Sequence, residues 1–313
     1  MLDSSLAPVS DLINRLPGSL SSVLAEQTDT DPSLKPPSAA SPSTRQFAQS
    51  SRLFSSFVSN SGLVRAHNED RGLINASLGL CVLADGMGGY NAGEVASQLA
   101  VDEINRYAKA ELANQPSHAS PDDFCLTEQA MARAMLQANA AILSLAHKRP
   151  ECLGMGTTAV AIAFAGSVDA YAEQAFTVAH VGDSRCYVVG KSNIRALTKD
   201  HSVGQELIDR GVMSLRDLRQ HSMRGVLTRA LGVEAAVTVD TASYALRPGE
   251  VILLCSDGLT DLLEDGEIID ILGPYSRLVP TQEILEQAGD ALVQAAIFRG
   301  GFDNVSALIV ARA

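Results

Sequence analysis

Residues 79–97 read GLCVLADGMGGYNAGEVAS, and this stretch decides how the rest of the chain is read. Leu80, Cys81, Val82, Leu83 and Ala84 form an unbroken apolar run of strand length that ends at Asp85, and glycines follow at 86, 88 and 89. From Gly93 the pattern turns helical, with Val95, Ala96, Leu99, Ala100 and Ile104 on one face. A buried strand therefore ends in a carboxylate, a loop with almost no side chains follows, and a helix leads away. Such a loop suits a phosphate, whose cradle is built from backbone N–H groups and usually a Lys. Asp85 at its mouth repels a phosphate unless a cation lies between them. Neither glycine fingerprint fits: no Gly-Lys-Ser/Thr ends the loop, and no G-x-G-x-x-G starts at Gly86. A metal site is the first expectation.

The chain has 313 residues, 46% of them apolar, enough for a sizeable core. Asp and Glu number 36 against 24 Lys and Arg, a net charge of −12. That balance argues against nucleic acid, which needs a cationic surface, and suits either a collector of divalent cations or a plain solvated acidic face. The five cysteines are odd in number and form no C-x-x-C pair. Cys81, Cys186 and Cys255 lie in apolar strand-like runs, as small buried thiols do, and reduced thiols fit a cytoplasmic protein. No basic n-region with an apolar stretch opens the sequence, and no apolar run approaches the roughly 18–20 residues of a membrane span. Neither a secretory signal nor membrane insertion is expected.

Residues 1–51 differ in composition from the rest. Residues 28–45 are dense in Ser, Pro, Thr and Asp, the signature of a solvated linker. Before them, Val9, Leu12, Ile13 and Leu16, then Leu20, Val23 and Leu24, recur at helical spacing around Pro17-Gly18. Two short docking helices are one reading and a disordered tail the favoured one. The globular part is expected over 52–313. Strands are expected at 53–58, 80–84, 156–164, 175–181, 186–189, 237–244, 251–255 and 305–311, with a polar loop over 62–70. Helices are expected at 93–108 and 127–147, at 203–210 behind a Ser202/Gln205 capping box, and through Ile284, Leu285, Ala288, Leu292 and Ala295. Strands joined by short links, with helices clustered early and late, indicate an α+β layered sheet protein.

One pattern recurs along this series. Asp85, Asp183 and Asp257 each end an apolar strand, and Asp303 immediately precedes one. Strand ends are rigid, so four carboxylates can converge there with fixed geometry, offering the hard oxygen ligands that Mg²⁺ or Mn²⁺ prefer. Each Asp-Gly taken singly is an ordinary turn pair, but the repetition after apolar runs is not explained by turns. Few His and no cysteine cluster argue against zinc. Glu69 and Asp70 add a pair of acids in the loop that holds Arg65. Beside a metal cluster an Arg is a bidentate clamp for phosphate oxygens; alone it is a surface charge.

Arg65-Ala66-His67-Asn68-Glu69-Asp70, Ala84-Asp85-Gly86-Met87-Gly88-Gly89, Gly154-Met155-Gly156-Thr157-Thr158, His180-Val181-Gly182-Asp183-Ser184-Arg185, Cys255-Ser256-Asp257-Gly258 and Asp303-Asn304 follow in that order. The series resembles the metal-dependent Ser/Thr protein phosphatases of the phosphatase 2C (PPM) family in its compact bacterial form, over roughly residues 53–313. The resemblance implies a four-layer α/β/β/α sandwich with two central antiparallel sheets and a two-metal site, Mn²⁺ or Mg²⁺, at one edge. Carried over by motif, Asp85 would bridge both ions, the Gly86 carbonyl would bind one, and Asp257 and Asp303 would hold the other. Glu69 and Asp70 would act through metal-bound waters, and Asp183 would hold a third, weaker ion. Arg65 would clamp the substrate phosphate, so Arg65, Asp85 and Asp257 are the expected catalytic residues. Residues 198–231 would form the flap beside the site.

The implied reaction is attack of a metal-bridging hydroxide on phosphorus, in line with the leaving Ser or Thr oxygen and without a phosphoenzyme. No Cys precedes a phosphate-binding loop, so no covalent nucleophile competes. Many eukaryotic relatives place a His, the general acid, where this chain has Met87, which has no proton to give. A metal-bound water is the preferred donor; His67, His201 and His221 are read as packed, solvent-facing or substrate-facing groups. The expected partners are phosphorylated Ser/Thr proteins and a cognate Ser/Thr kinase, met by a monomer. Two rivals are a catalytically dead relative, which should have lost a metal acid, and an acidic cation-binding structural protein, whose calcium loops should show Asp/Asn at alternate positions.

Overall fold

The computed structural model describes residues 44–49, 53–88, 92–114, 126–165, 174–218 and 221–312. Compact units divide at residue 40, and the described residues all belong to the second unit, 41–313. The two helical repeats expected before residue 25 lie outside the described residues, as does Cys125.

Among the described residues, twelve strands make two antiparallel sheets. In the first, β1 (Thr44–Gln49), β2 (Leu53–Asn60), β12 (Val305–Arg312), β11 (Val251–Cys255), β8 (Arg185–Val189) and β9 (Ile194–Ala196) lie side by side in that order. In the second the order is β10 (Asp240–Leu246), β7 (Gln174–Val181), β6 (Ala159–Phe164), β4 (Leu80–Met87) and β3 (Asp70–Asn75), with the two-residue β5 (Gly156–Thr157) on the end of β4. The helices among the described residues are α1 (Ala92–Ala113), α2 (Glu128–Lys148), α3 (Val203–Asp209), α4 (Leu215–Leu218), α5 (Asp257–Thr260), α6 (Asp265–Leu272) and α7 (Gln282–Phe298).

Strand alternation sorts these elements into four layers. On β4, Leu80, Val82 and Ala84 pack against Ala96, Ala100 and Ile104 of α1 and Met131, Met135 and Ile142 of α2. The intervening Cys81 and Leu83 turn inward, toward Ile252 and Leu254 of β11 and Leu308 and Val310 of β12. On the far side of the first sheet, Val251, Leu253 and Cys255 pack against Leu285, Ala288, Leu292 and Ala296 of α7. The α/β/β/α sandwich is therefore present, and β4, β6, β11 and β12 read as nearly continuous apolar runs because both of their faces are covered.

Several local expectations need correction. β4 does not stop before Asp85; it continues through Gly86 and Met87, which pair with Thr157 and Gly156. β3 occupies residues 70–75, where the polar loop was expected to end; it is an edge strand of intermediate burial, so it carries little apolar signal. β1 lies on the tail side of the expected 51/52 boundary: Thr44 pairs with Ser59 and Gln49 with Phe54. Thr44, Arg45 and Gln46 are all exposed, so no alternation marks its first half. Ser202 does cap α3, accepting Gln205 N–H at 3.2 Å, but the Gln205 amide donates to Asp209 Oδ1 (3.0 Å), so the cap is not a reciprocal box.

Candidate metal centre

The ends of β4 and β11, the starts of β3 and β12, and the β7–β8 turn share one edge of the sandwich. Asp70 and Asp85 are direct partners in the β3–β4 ladder. Opposed residues in an antiparallel pair keep their Cβ atoms about 4.5–5.5 Å apart, so register alone brings these two carboxyls together. Asp257 is the first residue of α5, behind β11, and Asp303 lies two residues before β12. These two are joined by close approach: a Cβ at Gly258 would lie 2.0 Å from the Asn304 carbonyl oxygen. Only a glycine lets the start of α5 sit on the 303–304 turn.

Asn304 then fixes the loop that carries Arg65, Glu69 and Asp70. Its Oδ1 accepts Glu69 N–H (2.8 Å), and its Nδ2 donates to Ser61 O (3.0 Å) and His67 O (2.9 Å). Gly86 N–H donates to Glu69 O at 3.2 Å, and a Cβ at Gly86 would lie 2.2 Å from Gly93 O, so β4, the acidic loop and the start of α1 meet around this glycine. Thr157 and Thr158 hold the Asp85 backbone: Thr158 N–H and Thr157 Oγ1 both donate to Asp85 O at 2.8 Å, and Asp85 N–H donates to Thr158 Oγ1 at 3.1 Å. The Gly-Thr-Thr motif thus acts on Asp85 from behind. Arg65 Nη2 reaches Asp303 Oδ2 at 2.7 Å with the guanidinium mostly exposed.

The electrostatics of this edge are unbalanced. Asp70 and Asp183 are buried; Asp85, Asp257 and Asp303 are half-buried, as in a recess open at one side. Burial pushes the Asp70 carboxyl up to about 6, against the hydroxyls of Ser306 and Ser256, which donate to its Oδ2 at 2.6 and 2.8 Å. Asp85 is held well above the usual carboxylate range by desolvation and then by the charges of Asp70, Asp257, Asp183 and Asp303. Asp257 is raised in the same way, by desolvation and then by Asp183, Asp261, Asp303 and Asp70. Asp183 is pushed up to about 7 by burial and by Asp200. Glu69 is raised by desolvation. Asp70 Oδ1 is buried without a hydrogen-bond partner. Several carboxylates therefore face one another with Arg65 as the cation paired at their rim, an arrangement that repels itself until a divalent ion enters. The donors are all oxygen, the set that Mg²⁺ and Mn²⁺ accept, so the residues fit these ions.

A second cluster does not fit a metal. His180, His201 and Asp240 bring one potential ligand atom each to within 4.8 Å of one another. Gly182 N–H donates to His201 Nδ1 (3.1 Å), which places the neutral ring's proton on Nε2, facing Asp240 Oδ2 at 3.2 Å. His180 Nε2 lies 2.9 Å from the Lys199 carbonyl and donates to it, and Asp240 Oδ1 accepts Arg229 Nη1 at 2.7 Å. His201 has no lone pair left to offer, and burial and the stacked His180 push its imidazole down to about 4. His201 Nε2 itself makes no hydrogen bond; the brace between the root of the 198–231 segment and the β7–β8 turn is the pair of bonds between His201 and Gly182, Gly182 N–H to Nδ1 and His201 N–H to Gly182 O (3.0 Å). A parallel brace joins Arg185 to Asp200 through two bonds of 2.8 and 2.6 Å. Further along the segment, Arg224 pairs with Asp261 at 3.0 Å. Of the remaining histidines considered as proton donors, His67 is exposed and His221 is exposed with Nδ1 accepting Met223 N–H.

The expected site residues Arg65, Glu69, Asp70, Asp85, Gly86, Asp257 and Asp303 thus meet at one edge, and Asp183 stands near enough to bias Asp85 and Asp257 electrostatically. The supporting residues Ser256 and Ser306 were not foreseen. Their signal was weak: a serine inside the apolar run of β12, and another between Cys255 and Asp257.

Comparison with known proteins bears on the family and the fold. The family model of protein phosphatase 2C matches residues 65–295. The Serine/threonine phosphatase stp of Listeria welshimeri is 34% identical over 259 residues, covering 82% of this chain and 94% of its own length. The crystal structure of the Mycobacterium tuberculosis serine/threonine phosphatase PstP/Ppp superposes with a TM-score of 0.68 at 32% identity, covering 83% of this chain and 98% of that one. A catalytic domain of PstP in complex with two manganese ions gives the same TM-score and identity, with 84% and 99% coverage.

Proposed function

The chain belongs to the protein phosphatase 2C family, and on that premise we propose which of its residues carry out the hydrolysis of phosphorylated serine and threonine. It is a metal-dependent Ser/Thr phosphoprotein phosphatase that uses two Mn²⁺ or Mg²⁺ ions. Its catalytic domain includes β1 and begins at or before Thr44.

Asp85, the Gly86 carbonyl, Asp257 and Asp303 would hold the two ions, with Glu69 and Asp70 at one remove and Asp183 on a third, weaker one. When bound, the ions neutralise phosphoryl charge and lower the pKa of water, the two demands of a phosphomonoester that is otherwise very slow to hydrolyse. The chain's own residues supply position. Arg65, projecting from the rim with its guanidinium largely exposed, pairs with phosphate oxygens and orients the phosphorus over the acidic recess. Asn68 Nδ2 donates to Ser59 Oγ (2.7 Å), which lies 2.7 Å from Ser306 Oγ, and Ser306 donates to Asp70 Oδ2. This relay and Ser256 keep Asp70 oriented and favour its charged form. Met87 cannot protonate the leaving alkoxide, and no histidine among the described residues takes that place, so this reading assigns the proton to water.

The observation that carries this reading is the gathering of Asp70, Asp85, Asp257 and Asp303 at one edge, where burial and their shared charge raise the first three carboxyls, with Asp70 Oδ1 buried and without a hydrogen-bond partner. Manganese-dependent hydrolysis of p-nitrophenyl phosphate and of phosphothreonine peptides, abolished by chelation and by Asp257→Asn, is the test. No helix among the described residues is long and apolar enough to cross a membrane. A cytoplasmic monomer that opposes a Ser/Thr kinase is the setting this chemistry suits.

A further inference from the structure

The residues immediately before each member of the Arg65–Asp303 ion pair are large, apolar and exposed. Val64 is 65% exposed and Phe302 59%; Leu63, next to Val64, is 57% exposed. Single exposed apolar side chains are ordinary on a monomer, but these share one place. The two loops that carry them are fastened together: Leu63 N–H donates to Gly301 O at 2.8 Å, and Arg65 closes onto Asp303 at 2.7 Å.

The fastening is rigid. Gly62 (φ +76°) and Gly301 (φ +47°) both hold left-handed backbone, and a Cβ at Gly62 would lie 2.2 Å from Asp303 O. The Phe302 ring lies against Gly300, another glycine with positive φ (+126°). The shape is set in advance, and residues 61–64 include no charged side chain. An exposed apolar surface thus stands on a preformed platform at the rim of an otherwise acidic recess.

Rim and recess must be read together. A phosphate held by Arg65 is attached to a polypeptide, and each residue of an extended chain spans about 3.3–3.6 Å. The residues one to three positions from the phosphorylated one therefore fall on whatever surrounds Arg65. On the Val64 and Phe302 side that surface is apolar. We propose that Leu63, Val64 and Phe302 form a specificity surface that receives an apolar side chain of the phosphoprotein substrate, within three residues of the phosphorylated serine or threonine. The proposal rests on the placement of Arg65 at the phosphate.

The test compares phosphothreonine peptides that differ only in whether the positions within three residues of phosphothreonine carry Leu, Lys or Glu, using the manganese-loaded full chain. The wild-type protein should favour a Leu peptide at least fivefold in kcat/KM, mainly through KM. The double variant Val64→Ser/Phe302→Ser should lose that preference while hydrolysing p-nitrophenyl phosphate, which has no flanking residues, within about twofold of wild type. Equal kcat/KM for all peptides on the wild-type protein would overturn the proposal without any variant. So would a preference that survives in the double variant, or a concentration-dependent dimer of the wild type that the double variant abolishes, since the surface would then belong to a second copy. Arg65→Ala separates the underlying assignment: if it leaves p-nitrophenyl phosphate and peptide turnover unchanged, Arg65 is not the phosphate clamp and the premise itself has failed.

Discussion

Asp70 and Asp85 are direct partners in the β3–β4 ladder, so main-chain register holds two carboxyl groups side by side at the edge of the sandwich. Serines donate to one oxygen of Asp70 and nothing pairs with the other. Protein groups alone leave the pair short of positive charge. The fold keeps it there because ladder hydrogen bonds and the apolar packing behind β4 determine where the strands lie, whatever the carboxyls cost.

That cost should be visible in the metal-free protein. Asp70 and Asp183 are pushed up to about 6 and about 7, and Asp85 and Asp257 are raised as well. A carboxyl raised on folding binds its proton more tightly in the folded state. The stability it contributes is present below the ordinary carboxylate pKa and is lost as pH rises through the folded value. With chelator present, Tm should therefore fall between pH 5 and pH 8, and saturating Mn²⁺ should remove or reverse the fall. A metal-free Tm that climbs steadily across that range would contradict the electrostatic picture.

Ser306→Ala removes the shorter of the two hydrogen bonds to Asp70 Oδ2 and breaks the relay to Ser59. Groups that orient metal-site ligands are typically worth about 10–100-fold in metal affinity or activity. The Mn²⁺ concentration for half-maximal turnover should rise by about that factor, with kcat at saturating metal less affected. An unchanged metal titration would mean that the relay does not govern Asp70.

Gly258→Ala would put a Cβ 2.0 Å from Asn304 O, a backbone atom that cannot step aside. Overpacking of this kind costs about 1–3 kcal/mol, and it should also push Asp257 and Asp303 apart and weaken Mn²⁺ binding. Gly266→Ala is the contrast. It lies in α6 with nothing within 4 Å of the added methyl, and should stabilise by about 0.4–1 kcal/mol with activity unchanged. Denaturant melts and metal titrations of the two variants check both halves.

Much of this was legible from the residues, and the rest was not for identifiable reasons. β4, β6, β7, β11, β12 and the long helices declare themselves because burial on both faces, or on one helical stripe, leaves an unambiguous apolar pattern. The acids at their ends follow, and the structure gathers those at 70, 85, 257 and 303 at one edge. β1 and β3 are edge strands with no such pattern. The serines that hold Asp70 are 186 and 236 residues away from it in sequence, and no local spacing signals that meeting. Gly258 reads as half of an Asp-Gly turn; that it admits the Asn304 carbonyl is visible only in three dimensions.

Met87→Leu tests the missing proton donor. A thioether has no proton to give, so replacing it with an isosteric hydrocarbon should leave kcat for a phosphothreonine peptide within about threefold of wild type. A fall of a hundredfold or more would assign Met87 a part in the chemistry that its side chain does not suggest.

Arg65→Ala should lower kcat/KM for p-nitrophenyl phosphate by about 10–100-fold, the worth of hydrogen bonds to a charged group, and Arg65→Lys should restore little of it because the paired geometry is gone. Unchanged kcat/KM in Arg65→Ala would move the phosphate elsewhere.

The most direct measurement is the hydrolysis of p-nitrophenyl phosphate by metal-stripped protein as Mn²⁺ is added back, run in parallel on wild type and Asp257→Asn. Wild type should be inactive when stripped and regain full turnover as two equivalents of Mn²⁺ bind, while Asp257→Asn should remain inactive, or need far more metal, with its fold intact by circular dichroism. Full activity of the wild type in the presence of chelator would contradict the assignment of these carboxylates to a two-metal centre.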